Sequence, residues 1–221
     1  MNKLLYKIKN NKIFSIICLV SISILIWNLS RNNLVEKFET KKLEENNKIE
    51  VMNYLLKKVV DILDKNNIPY YLDCGTLLGA IRENSIMEKD TDIDVTIHLS
   101  MWDKLKAIDF SKYGLIITRT LETYPNEIRG NIISVKTKFS NFYCDIYINP
   151  AFPLLTETIL NGEIYSIPIQ SELYLTQLYG KDWKIPSNKH ASTKFHRGNG
   201  LVNSEYSKYW DLNYKIFKCI M

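Results

Sequence analysis

Residues 92–98 read Asp-Ile-Asp-Val-Thr-Ile-His, a strict alternation of polar and apolar side chains. A period of two marks a strand, because successive side chains point to opposite faces of a sheet. Ile93, Val95 and Ile97 therefore share one face, and Asp92, Asp94 and Thr96 share the other. Asp90 continues the spacing upstream, so three carboxylates can converge on one side of the chain. Like charges held this closely repel strongly unless a cation offsets them. Hard oxygen ligands of this kind suit Mg2+ or Mn2+, which keep waters and substrate phosphates in the rest of their shell. A solvated acidic strand edge has the same spacing, and two Asp residues two apart are common by chance. The neighbours have to decide.

Upstream, residues 70–74 (YYLDC) form a short strand that Gly75 breaks, and residues 76–82 read as a short helix capped by Thr76 or its neighbour. At such a strand-to-helix turn, the backbone amides and hydroxyl of Gly75 and Thr76 can cradle a phosphate. Downstream, Asp145 stands among apolar and aromatic residues in a strand at 142–148. Tyr143, Asp145 and Tyr147 share a face there, opposite Phe142, Cys144 and Ile146. A lone acid in that setting is costly to bury unless it is paired or binds metal. It is the candidate third carboxylate, either completing a metal shell or accepting the proton of an attacking hydroxyl.

The rest of the body alternates helices and strands. Residues 50–66 carry apolar side chains at 52, 55, 56, 59, 60 and 63, a helical stripe that Asn66-Asn67-Ile68-Pro69 ends. A helix at 101–109 and a strand at 115–119 follow. Strands at 132–139 and 142–148 flank Ser140-Asn141 as a tight hairpin, and a strand at 165–168 leads to a helix at 171–179 that Gly180 stops. Residues 182–200 read as a structured loop or tail. This order implies an α/β (α+β) domain with a mixed sheet flanked by helices.

The formal charge of +5 on 221 residues invites a nucleic-acid reading. Residues 1–50 hold nine Lys/Arg and five Asp/Glu, leaving 29 − 9 = 20 basic and 24 − 5 = 19 acidic residues for the body. The body is nearly neutral, so a basic nucleic-acid face loses its support and no nucleic-acid partner is expected. The basic surplus belongs to an N-terminal segment with its own pattern. Residues 1–12 contain Lys3, Lys7, Lys9 and Lys12 and no acid, and residues 13–29 (IFSIICLVSISILIWNL) are uncharged. Seventeen helical residues span roughly 25 Å, the short end of a membrane crossing. The apolar run continues past Ser21-x-Ser23, which argues against cleavage there. The expected organisation is a basic tail at 1–12, a transmembrane signal-anchor at 13–29, a charged stalk at 30–49 and a catalytic domain at 50–221. Lys and Arg are nearly balanced across the run, but the compact acid-free flank precedes it, so a type II orientation with a lumenal or extracytoplasmic body is expected. Asn28-Leu29-Ser30 matches a glycosylation sequon at the membrane boundary, where an enzyme would not easily reach it.

The run Tyr71-Leu72-Asp73-Cys74-Gly75-Thr76-Leu77-Leu78-Gly79-Ala80-Ile81-Arg82, followed by Asp90-Thr91-Asp92-Ile93-Asp94, resembles the LicD/fukutin family of the nucleotidyltransferase superfamily. A second block, from Ile167-Pro168 through Tyr179-Gly180-Lys181-Asp182-Trp183-Lys184-Ile185-Pro186, resembles that family's C-terminal signature. The resemblance implies a nucleotidyltransferase-like fold over roughly residues 50–190. It implies Asp92, Asp94 and Asp145 as catalytic and metal residues, with Gly75 and Thr76 as the phosphate turn, Arg82 facing the donor phosphates, and Asp90 as the first acid of the run, on the substrate side. The implied reaction moves phosphocholine or an alditol phosphate from a CDP-linked donor to a glycan hydroxyl, with Mg2+ or Mn2+. The sequence departs from the family between the blocks. A histidine usually follows the arginine and a Pro-Trp precedes the acids; here Glu83, Glu88 and Lys89 stand in those places. The three core acids remain, so the departure bears on the donor more than on the metal.

Two other readings share these residues: a membrane-anchored DxD glycosyltransferase using a sugar nucleotide, and a catalytically degenerate family member that binds glycans. Lys194, His196 and Arg197 cluster in the late loop; Lys194 and Arg197 are candidates for substrate phosphate, against the ordinary reading of a solvated basic loop. Tyr143, Tyr147 and Trp183 are candidates for stacking on a base or sugar, though aromatics at strand spacing usually belong to a core. His98 reads as structural. Cys74 and Cys144 read as small buried thiols, with a bridge between them as the alternative.

Overall fold

The computed structural model describes residues 21–24, 27, 48–122, 131–150 and 152–186. The chain divides into two compact units, Met1–Asn46 and Asn47–Met221. In the first, residues 21–24 and 27 are helical, with Ile22, Ile24 and Trp27 exposed. Among the described residues no helix is long and apolar enough to cross a membrane. The span expected to do so, 13–29, lies mostly outside the described residues, as do nearly all of the stalk and the loop with Lys194, His196 and Arg197.

The second unit opens with α1 (Lys48–Lys65), which buries Val51, Met52, Leu55, Leu56, Val59, Val60, Ile62 and Leu63 along one stripe. Asn67 takes a left-handed φ of 47°, and the Ile68 amide returns to the Leu63 carbonyl at 2.9 Å, closing the helix. Then come β1 (Tyr70–Leu72), α2 (Cys74–Glu83), β2 (Asp92–His98), a short α3 (Trp102–Lys106), β3 (Leu115–Leu121), β4 (Ile132–Thr137), β5 (Tyr143–Asn149), β6 (Leu155–Leu160), β7 (Glu163–Pro168) and α4 (Ser171–Tyr179). Five strands form a mixed sheet in the order β1-β2-β5-β4-β3. The β2–β5 pair is parallel and the others are antiparallel. The α1 stripe packs on β2 and β5. This is the mixed α/β architecture that the order of elements implies.

Several details differ from expectation. Helix α2 starts at Cys74 because Asp73, rather than Thr76, accepts the Cys74 amide and caps it. The helix expected over 101–109 shortens to five residues, since Asp109 accepts the Ser111 amide and starts a separate 3-10 turn at Phe110–Tyr113. The β4–β5 connection is longer than Ser140-Asn141 alone, because β4 ends at Thr137 and β5 begins at Tyr143. Strand β6 was not foreseen. It pairs only with β7 in a two-stranded ribbon whose turn, Asn161 (φ 50°) and Gly162 (φ 84°), has the paired left-handed conformation that hairpins favour.

Gly79 shows how closely α2 is held. The chain after α2 doubles back through the left-handed Asn84 (φ 51°), whose amide caps the Gly79 carbonyl. A Cβ on Gly79 would run into the Ser85 carbonyl oxygen, with Met87 Cγ only 3.3 Å away. Alanine gains about 1 kcal/mol of helix propensity, but steric overlap of this kind costs about 1–3 kcal/mol. Gly79→Ala is therefore expected to lower the urea midpoint, and a raised midpoint would show that the turn yields easily.

Candidate active site

Registration of the sheet builds the site. Asp94 on β2 stands opposite Asp145 on β5, Asp145 opposite Ser134 on β4, and Ser134 opposite Arg119 on β3. Two acids, a hydroxyl and a guanidinium thus form one row across four strands. Asp92 is two residues from Asp94 on the same face, and one carboxylate oxygen from each of Asp92, Asp94 and Asp145 lies within 4.8 Å of the others. Asp92 and Asp94, which the alternation singled out, thus meet Asp145, the lone acid of β5, and Asp94 and Asp145 are buried.

Burial pushes the Asp94 carboxyl well above the usual carboxylate range, and Asp92, Asp73, Asp145 and Asp90 push it further. Asp90 is raised to about 6, first by burial and then by Asp92, with Lys48 opposing. These are the conditions under which a divalent cation binds with the largest electrostatic gain. Three converging carboxylates with hard oxygen donors fit Mg2+ or Mn2+ and offer no soft ligand to a thiophilic metal. The residues present fit the cation that the pattern implies.

Asp73 is the residue behind the site to which sequence reasoning gave no role. It is fully buried. Its Oδ1 accepts the Cys74 amide at 2.7 Å and the Tyr174 hydroxyl at 2.6 Å, and its Oδ2 accepts the Thr96 hydroxyl at 2.6 Å. Its own amide donates to the Asp94 carbonyl at 3.0 Å. One side chain so ties the start of α2, the middle of β2 and α4 behind the acid cluster. An Asp directly before Cys-Gly-Thr is itself a helix-capping signal, which the strand reading of residues 70–74 hid.

Thr76 is also buried, and its Oγ1 accepts the Asp94 amide at 2.9 Å, fixing α2 to β2 where the acids emerge. Gly75 lies against Asp90: a Cβ there would meet Asp90 Oδ2 at 2.7 Å. Cys74, between the cap and the glycine, holds a φ of 45°, a conformation costly for a residue with a side chain and concentrated at functional turns. The structure thus brings Gly75, Thr76, Asp90, Asp92, Asp94 and Asp145 into one neighbourhood.

Asp145 is engaged on both oxygens. Ser134 Oγ donates to Oδ1, while Oδ2 accepts Arg119 Nη2 at 2.9 Å and the Tyr147 hydroxyl at 3.2 Å. Arg119 and Ser134 were not singled out by sequence. His98 is a buried structural residue whose ring bridges Ser100 Oγ and the Pro150 carbonyl, and burial lowers its pKa. Cys74 and Cys144 are buried thiols with no disulfide between them.

Residues 67–162, which hold the α2 turn and all three clustered acids, match the model of the LicD/FKTN/FKRP nucleotidyltransferase domain. Over this stretch the chain matches the LicD/fukutin family. Curated relatives agree: the ribitol-5-phosphate transferase FKTN of Homo sapiens is 23% identical over 152 residues, covering 60% of this chain and 33% of that protein. The Macaca fascicularis counterpart is 23% identical over 168 residues, covering 64% of this chain and 36% of its own length. An uncharacterized protein of Rickettsia prowazekii is 46% identical over 43 residues, or 20% of this chain and 16% of that protein. The chain spans little more than a third, at most, of the length of these relatives. Among solved structures, lincosamide antibiotic adenylyltransferase LnuA, lincomycin-bound, aligns with a TM-score of 0.41 at 16% identity, covering 57% of this chain and 85% of that one. ANT(2")-Ia in complex with adenylyl-2"-tobramycin aligns at 0.41 and 16% identity, covering 75% and 96%.

The two separated blocks that resemble the LicD pattern meet in space. Arg82, at the end of α2, donates from Nη1 to the Trp183 carbonyl at 3.3 Å, and Trp183 Nε1 donates to Thr176 Oγ1 on α4 at 3.0 Å. Arg82 also pairs with Glu83 and touches Met87 Sδ, and its charge lowers Asp90. Trp183 is buried, so its ring belongs to the core, whereas Tyr143 and Tyr147 are half-buried on the acid face.

Proposed function

We propose that this LicD domain is a metal-dependent phosphotransferase that moves a phosphorylated alcohol, phosphocholine or an alditol phosphate, from a CDP-activated donor to a glycan hydroxyl. The observation that carries this reading is the convergence of Asp92, Asp94 and Asp145 beside the Gly75–Thr76 turn of α2. A glycan-directed phosphotransferase fits the family, and the FKTN relatives bear the name of ribitol-5-phosphate transferases.

In the proposed reaction, Asp92, Asp94 and Asp145 hold the cation, and the opening of α2 at Gly75 and Thr76 receives the donor phosphates. A bound Mg2+ or Mn2+ supplies neutralisation of the diphosphate and of the charge that develops on the leaving oxygen. The acceptor oxygen forms a bond to the distal phosphorus as the bond from that phosphorus to the bridging oxygen breaks. CMP departs with the bridging oxygen, and the hydroxyl proton is released to solvent. Arg82 steadies the donor side by fixing α2 against the Trp183 turn and by its charge beside Asp90. Lys194 and Arg197 contribute further phosphate contacts from the late loop. Residues 13–29 anchor the chain in a membrane with the catalytic body on the lumenal or extracytoplasmic side.

The test is a donor panel. The full chain in detergent with Mg2+ is expected to release CMP from a CDP-linked alditol or choline when a glycan acceptor is supplied, and to release no UDP or GDP from sugar nucleotides. Release of UDP or GDP instead would establish a glycosyltransferase. A C-terminal tag protected from protease in sealed microsomes is the matching topology result, and a digested tag rejects the lumenal body.

A further inference from the structure

Arg119 reaches the acid face because β3 is irregular. Ile117 pairs with Val135, but the next partner of β4, Ser134, pairs with Arg119 rather than Thr118. The extra residue shifts the register by one. Such bulges re-aim a side chain and recur beside active sites. Without the bulge, Thr118 would occupy the row with Asp94 and Asp145, and a one-residue slip carries the neighbouring side chain to the opposite face.

The guanidinium is then clamped at two points. Nε donates to Ser134 Oγ at 3.1 Å and Nη2 to Asp145 Oδ2 at 2.9 Å, while Ser134 Oγ itself donates to Oδ1. Asp145 Oδ2 also accepts Tyr147. A carboxylate oxygen has two lone pairs, so these two donors fill its acceptor capacity. A cation that takes Oδ2 must displace one of them. Tyr147 is held on the same strand two residues away, whereas the Arg119 side chain is 52% exposed on an edge strand and has solvent to move into. A guanidinium released beside the cluster presents a fork of N–H donors suited to a phosphate.

We propose that Arg119 and the divalent cation compete for Asp145, and that Arg119, once displaced, binds a phosphate oxygen of the donor. The proposal rests on the cation-dependent reading above and adds to it a donor-binding residue whose two roles have opposite signs. Removing Arg119 improves cation binding and harms donor binding. A residue that only braces the sheet would weaken both.

The experiment uses the full chain in detergent, with Mn2+ affinity read from the paramagnetic resonance of the free ion and CDP affinity read by calorimetry at saturating Mn2+. Arg119→Met is expected to bind Mn2+ about three- to tenfold more tightly, the scale of a partly exposed ion pair removed from competition. It is expected to bind CDP about tenfold more weakly, the scale of one charge-assisted contact. Arg119→Lys, which keeps the charge and loses the fork, is expected to lie between the unaltered chain and Arg119→Met on both readouts. If Arg119→Met lacks a native melting transition, Arg119→Gln, which can still reach Ser134, is read in its place with the same expected signs. An unaltered chain that binds Mn2+, with a variant that binds it no more tightly or holds CDP equally well, overturns the proposal alone. An unaltered chain that binds no Mn2+ overturns the cation reading and the proposal with it.

Discussion

Asp94→Asn is expected to melt higher than the unaltered chain in the absence of divalent cation, and to lose transfer activity by about a thousandfold or more. The two effects share a cause. Asp94 is buried among Asp92, Asp73, Asp145 and Asp90, and its carboxyl lies well above the usual range. Replacing the charge with an amide removes that repulsion, for a gain of about 1–2 kcal/mol, or a few degrees in a domain of this size. The sign of the pH dependence follows from the same crowding. Asp90 has a folded-state pKa of about 6 against 3.8 for the unperturbed group. Between those values the folded chain holds more protons than the unfolded one, so cation-free stability is greatest at low pH and falls as pH rises through about 6. Asp94 shifts the same way, which extends the fall upward. Mg2+ should restore the lost stability in the unaltered chain by binding the native state, and should leave Asp94→Asn nearly unmoved. Melting curves at several pH values, with and without Mg2+, check all of this. A variant that melts lower at neutral pH without cation would show that Asp94 is not under repulsion.

Asp73→Ala is expected to be among the most destabilising single substitutions in the domain. It strands the buried hydroxyls of Tyr174 and Thr96 and the amide of Cys74, all of which donate to Asp73 within 2.7 Å. Unsatisfied buried donors cost about 1–3 kcal/mol each, partly relieved by rearrangement. A loss of about 3 kcal/mol lowers the melting temperature by roughly 6–12 °C at this size. Asp73→Asn, which keeps the shape and two acceptor positions, should fall well short of that. Equal losses for the two variants would mean that volume, and not hydrogen bonding, is what the site requires.

The acid face was legible because alternation is local. Asp92 and Asp94 declare their side within seven residues, and a lone acid among Tyr143, Cys144 and Tyr147 draws notice unaided. What stayed hidden is relational. The row that joins Asp145 to Ser134 and Arg119 depends on two antiparallel registers and one bulge, and no local pattern in Leu115–Leu121 announces the bulge. Asp73 was readable as a cap, but a strand reading of 70–74 absorbed it. Strand β6 was also readable: Asn161-Gly162 is a strong hairpin signal, but Leu155–Leu160 exposes half of its side chains, buries only Leu160 and lacks a clean buried face.

The parallel pairing of β2 with β5 has a consequence for how the chain assembles. Strand β5 begins 143 − 98 = 45 residues after β2 ends, yet it lies between β2 and β4 in the finished sheet. During synthesis β2 must therefore wait with one side open. An unpaired edge is a template for pairing with any other chain. Asp92 and Asp94 stand on that waiting strand, and two like charges there make a poor seam for a second copy of β2. Asp92 and Asp94 thus keep β2 a poor template until β5 pairs with it and brings Asp145 alongside Asp94.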